Sequence, residues 1–273
     1  MKTIIQEYIP PIIWRRVSEL RKRNNTLEKQ EIPINKCVHL SGSKYGVNDY
    51  NQYESYLIDV NNGIPVSHAR WRFIEYLLYY RPRNMREALG INFPIKEYPI
   101  WNFPWQKTFK ENILKESGWF STTYECKDVQ RHFCKQGILS FRIDHEFIRL
   151  EQVYNSIKEY GYQPDLFSYV HVQQFKSSDG KASYLVLAGN HRISAMSALG
   201  YKTVMVSLSK NTVYEKDLEN WHGVKKSLFS KEDALCLFNA YFNGNNNYRT
   251  TDKPATILAP QGWIELYFPS TQY

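Results

Sequence analysis

The chain has 273 residues, 42% of them hydrophobic and 23% charged, with a formal net charge of +8 and a pI of about 9.1. That length holds one large domain or two modest ones, and that apolar fraction supplies a core, so a disordered chain is excluded and anionic partners are favoured. No apolar run approaches the roughly 18–20 residues that span a bilayer, and Cys37, Cys126, Cys134 and Cys236 lack the spacing of a structural zinc site.

Residues 1–23 read as a short helix interrupted at Pro10-Pro11, with Ile4, Ile5, Ile9, Ile12, Ile13, Val17 and Leu20 followed by a basic tail. Apolar plus basic fits peripheral contact with an anionic membrane, and it equally fits a terminal helix docked on the protein itself. Residues 24–50 are polar and broken by Pro, Gly and Asn, and read as linker or loop. Helices are predicted over 52–60 and 68–80; in the second, Trp71, Ile74, Leu77 and Leu78 share a face and Arg81-Pro82 ends it. A short helix over 85–89 closes at Gly90. Residues 92–105 carry Pro94, Pro99 and Pro104 among five aromatics, which predicts an extended arm packed on a domain surface.

From residue 137 the pattern changes. Residues 137–143 alternate like a strand, and Leu150, Val153, Tyr154 and Ile157 give a helix over 147–160 closed by Gly161. A strand over 167–175, a hairpin turn over 177–180, a strand from Tyr184, a helix ending at Gly200 and a last strand complete a β-α-β-β-α-β unit. After 210 the chain turns helical, with Ser230 as N-cap, Asp233 three residues on, and Ala234, Leu235, Leu237, Phe238 and Tyr241 as the apolar stripe. Trp221-His222 fits a packing anchor or a lid. The last 25 residues read as a surface tail.

The most informative stretch runs from a buried strand into Gly189-Asn190-His191-Arg192 and then a helix. Gly lets the backbone approach a ligand, the first N–H groups of the helix point outward, and Arg offers a fork matched to phosphate oxygens. The same residues also suit an ordinary strand-to-helix turn. His132, Cys134 and His145 are too scattered to form a metal site, and no Walker A, GxSxG or HExxH motif occurs.

The element order and the Gly-x-His-Arg turn resemble the ParB/sulfiredoxin superfamily over residues 137–210, through the helix ending SIKEYG, the strand, and LAGNHRISAMSALG. The resemblance implies an α+β fold: a ParB/sulfiredoxin-like core, a mainly helical N-terminal region over 24–136 and a helical C-terminal extension over 211–273. It also implies that Gly189, Asn190, His191 and Arg192 hold the phosphates of a nucleotide. Asn190 stands where sulfiredoxins carry their catalytic Cys, so thiol chemistry is not expected. Chromosome-partitioning ParB proteins resemble Gly-Glu-Arg-Arg at this turn and carry a helix-turn-helix downstream; too few helices follow residue 210 for that, so a nucleic-acid partner is disfavoured.

The turn is closest to that of free serine kinases, similar to Asp-Gly-His-x-Arg, where an acidic residue after the first strand is the base. Here Asp144 and Glu146 follow the expected strand, Glu146 being the first choice, although acids also suit a helix N-terminus. Ala188 replaces the Asp before the Gly. The resulting expectation is a cytoplasmic phosphotransferase using ATP or ADP with Mg2+, with Glu146, Asp144 and His191 catalytic and no protein residue assigned to metal. Its acceptor would be a small hydroxylated molecule, an amino acid or a sugar precursor. The leader Ile-Pro-Pro-Ile-Ile-Trp is similar to those of enzymes of surface-polysaccharide assembly. The alternatives are a ParB-like nucleotide- or DNA-binding protein, CTPase or nuclease, without kinase activity, and an interaction protein acting at a membrane through residues 1–23.

Overall fold

The computed structural model describes residues 27–46, 51–70, 84–99, 102–107 and 138–244. The expected helix over 1–23, the stripe from Trp71 to Leu78, Cys126, His132, Cys134 and the tail beyond 244 lie outside the described residues. Strands β1 (Lys29–Pro33), β2 (Cys37–Val38), β3 (Val170–Lys176), β4 (Ala182–Ala188), β5 (Thr203–Leu208) and β6 (Val213–Tyr214) form one mixed sheet. Its order is β1-β5-β3-β4-β2, with β6 pairing β3 beyond the point where β5 leaves it. The fold is α+β.

The sheet is buried from both sides because β4 is apolar on both faces. Tyr184 and Val186 point into one core with Ile32, Val170, Val172 and Val206. Helices α1 (Gln52–Asn61), α3 (Ile138–Tyr160) and α5 (Asn190–Ala198) cover that face. Leu185 and Phe175 point the other way, into a second core closed by Trp221, α6 (His222–Lys225), α7 (Lys231–Asn243) and the described apolar residues of 91–105. Ser230 accepts the Asp233 N–H at the start of α7, as its sequence predicts. The described residues of 92–105 form the extended, packed arm expected: Ile95, Tyr98 and Phe103 are buried while Phe93 is exposed, and the Trp105 ring meets Trp221 edge-on at 5.4 Å. Trp221 is accordingly a packing anchor.

Three expectations are corrected. Residues 138–143 of the strand expected over 137–143 form no strand; they belong to α3, which runs unbroken over Ile138–Tyr160, and Gly137 lies outside the described residues. Leu139, Ile143, Phe147, Leu150, Tyr154 and Ile157 recur every three or four residues with no Gly or Pro between them, so the longer helical period overrides the local alternation. Asp144 and Glu146 therefore sit within the first three turns of α3, not after a strand. The reading of 24–50 as linker or loop holds for 39–46 but is corrected at β1 and β2, whose strand character comes from distant pairing: Ile32 faces Val204 and Cys37 faces Tyr184. The strand expected from 167 begins at Val170, because Pro164 opens the one-turn helix α4 (Pro164–Phe167). Helix α2 (Met85–Ala88) is as short as expected. No helix among the described residues is long and apolar enough to cross a membrane.

One backbone contact ties the second core together. The Gly223 N–H donates to Pro104 O at 2.8 Å, and a Cβ there would lie 2.6 Å from the Phe229 ring and 3.0 Å from Pro104 Cα and O. Gly223→Ala is expected to lower stability by about 1–3 kcal/mol through overpacking, read as a reduced urea midpoint with an unchanged slope.

Candidate functional site

Strand β4 ends at Ala188, and the chain enters α5 through Gly189 alone, at φ 96° and ψ 25°. A Cβ at this position would lie 3.0 Å from Arg192 Nη2 and 3.2 Å from both Cα and Cγ2 of Val170. Only glycine combines the left-handed backbone with that lack of room. The turn so formed is the floor of a cleft of about 790 Å³. One wall is the face of α3 carrying Arg149, Val153 and Ser156; another is the connector with Tyr162 and Phe167; His39 and Tyr53 stand at the back.

Asn190, His191 and Arg192 all line the cleft. The Tyr45 hydroxyl, fully buried, donates to Asn190 Oδ1 at 3.0 Å, which leaves the amide nitrogen of Asn190 as the outward donor. Among the described residues the backbone N–H groups of Asn190 and Arg192 have no protein acceptor. The His191 ring packs edge-on against Tyr53 with centroids 5.0 Å apart.

Arg192 differs from the expectation. Its Nη1 donates to Phe167 O at 3.1 Å, to Ser168 Oγ at 2.8 Å and to Ser168 O, so half of the guanidinium fork is committed to main chain and a neighbouring hydroxyl. Burial lowers its proton affinity, and nearby Tyr162 opposes that. Among the described residues Arg192 has no carboxylate partner.

The described lining contains no carboxylate, whereas Arg149 and Arg192 both contribute a positive charge to it. Such a cleft attracts anions. The structure thus brings Gly189, Asn190, His191 and Arg192 to one place. It puts Asp144 and Glu146 on α3, whose side chains before Phe147 lie outside the description.

Sequence reasoning missed three residues behind the turn. His39 is buried, and the Ser41 N–H donates to its Nδ1 at 3.2 Å, so the neutral ring carries its proton on Nε2. Burial and the neighbouring His191 push its pKa down to about 4. Tyr45, from the same loop, orients Asn190. Glu54, 2% exposed on α1, accepts the Gly46 N–H at 3.0 Å and the Ser197 hydroxyl at 2.8 Å. Burial raises its pKa to about 7, against those two hydrogen bonds. The signal for Glu54 was its place between Tyr53 and Leu57 on the apolar face of α1; the loop residues gave none, because their segment read as linker or loop. Comparison with protein-family models, with curated proteins and with solved structures gave no match.

Glu54 keeps its proton in the fold up to about pH 7, while the unfolded chain releases it near the ordinary value of 4.5. The folded state binds more protons across that window, so this contribution to stability is full below 4.5 and lost as pH rises to 7. His39 acts oppositely, costing stability as pH falls from 6.5 towards 4. Glu54→Gln is expected to flatten the decline in urea stability between pH 5 and pH 8, while keeping the contact to Ser197.

Proposed function

We propose that the cleft binds a nucleotide through its phosphates, held at Gly189, Asn190, His191 and Arg192, and that the protein transfers phosphate to a small hydroxylated acceptor. The observation that carries the first part is the convergence of cationic side chains and helix N–H groups in a cleft whose described lining has no carboxylate. A helix N-terminus with adjacent His and Arg favours phosphate. The strand, left-handed Gly turn, helix and strand at 182–208 support the resemblance to a ParB/sulfiredoxin-like core.

For the transfer step, Glu146 is the first choice of base and Asp144 the second, both being acids on α3, the helix that supplies one wall of the cleft. Glu146 would take the proton of the acceptor hydroxyl as its oxygen attacks the terminal phosphorus, and the shortened nucleotide leaves. Arg192 and the helix N–H groups would neutralise the charge that develops. Among the described residues no group of three or more His, Cys, Asp or Glu could hold a metal ion. No residue is assigned to magnesium, and no step runs through it.

A second reading, binding without transfer as in a ParB-like nucleotide- or DNA-associated protein, is favoured by the commitment of Arg192 Nη1 to main-chain acceptors. The amino-acid or sugar acceptor, the cytoplasmic setting and membrane contact through residues 1–23 remain part of the proposal.

Asn190→Asp preserves the acceptor for Tyr45 but places a carboxylate at the phosphates. It is expected to weaken ADP binding at least tenfold by calorimetry with little change in melting temperature; unchanged affinity removes the phosphate reading. Glu146→Gln is expected to abolish transfer of labelled phosphate while ADP affinity holds; unchanged transfer rules out Glu146 as base, and no transfer by the unaltered protein with any hydroxylated acceptor selects the second reading.

A further inference from the structure

We infer that Phe167 is a stacking platform for the nucleobase, set in place by Arg192, so that the cleft selects a phosphate joined to a flat aromatic ring over a bare phosphate or a phosphosugar. This rests on the phosphate reading of the same cleft. Phe167 lines the cleft and is 59% exposed, so its ring is open to whatever occupies that space. Its neighbour Tyr162 is used structurally: its hydroxyl accepts the Val170 N–H at 3.0 Å and donates to Met205 O at 3.1 Å. Phe167 is not consumed by packing in that way.

The backbone beside it is held against its preference. Ser168 lies at φ 76° and ψ 152°, a region populated almost only by glycine. One nitrogen of Arg192 holds it there, through Phe167 O, Ser168 O and Ser168 Oγ. Strain of this kind persists where surroundings over-determine it, and it concentrates at ligand sites. The residue that faces the phosphates thus also fixes the carbonyl of the residue bearing the exposed ring. A cleft of about 790 Å³ has room for a whole nucleotide, whereas a diphosphate alone would occupy only its floor.

The test compares ADP with pyrophosphate on the full chain by calorimetry. Phe167→Ala is expected to weaken ADP on the order of tenfold, the scale of one base–aromatic stack, and to leave pyrophosphate within about twofold. Phe167→Trp is expected to keep ADP affinity and Phe167→Leu to lose it as Ala does. Equal loss of both ligands in Phe167→Ala, loss of neither, or full affinity in Phe167→Leu overturns the platform. A native protein that binds pyrophosphate as tightly as ADP overturns the platform and leaves the phosphate reading standing. A native protein that binds neither overturns both.

Discussion

The cleft depends on a single backbone constraint, the left-handed turn at Gly189. The chain must leave a strand buried on both faces and start a helix within one residue. Val170 Cα and Cγ2 lie 3.2 Å from where a side chain would begin, so β3 sets how closely the turn can pack. That closeness aims the first N–H groups of α5 outward and brings Arg192 back against the connector ahead of β3. The anion-attracting floor and the strained connector are two results of the same packing.

Behind the turn, two buried ionisable groups hold neighbouring pieces. Glu54 bridges the loop, through Gly46, and α5, through Ser197. His39 is fixed by Ser41 in the loop after β2. Burial favours the uncharged form of both, but the acid and the base respond to pH in opposite senses. The support under the turn is thus least charged in the interval between their titrations, and keeps its hydrogen bonds without the cost of a buried ion.

Much of the later half of the chain was legible locally. The hairpin at 177–180, the Gly189 turn, the stop at Gly200 and the Ser230 cap are short-range signals, and the structure realises each. Residues 137–143 misled because seven residues of alternation fit a strand, while only the spacing out to Ile157 reveals the helix. Strands β1 and β2 were invisible for another reason. Lys29 to Pro33 bury one residue fully, and their partners lie more than 160 residues away. The double role of Arg192 was likewise illegible, since sequence shows its fork but not the carbonyls that face it.

That distant pairing bears on how the protein is made. β1 leaves the ribosome early but finds its partner only after β5, when residue 208 has been added. At about 5–20 residues per second, Ile32 and the polar groups of an unpaired edge wait on the order of ten seconds or more. The loop carrying His39 and Tyr45 waits in the same way for β4 and Asn190, so the cleft cannot form until α5 has been made. A nascent chain stalled before β5 would expose a half-built sheet to chaperones and to other nascent copies.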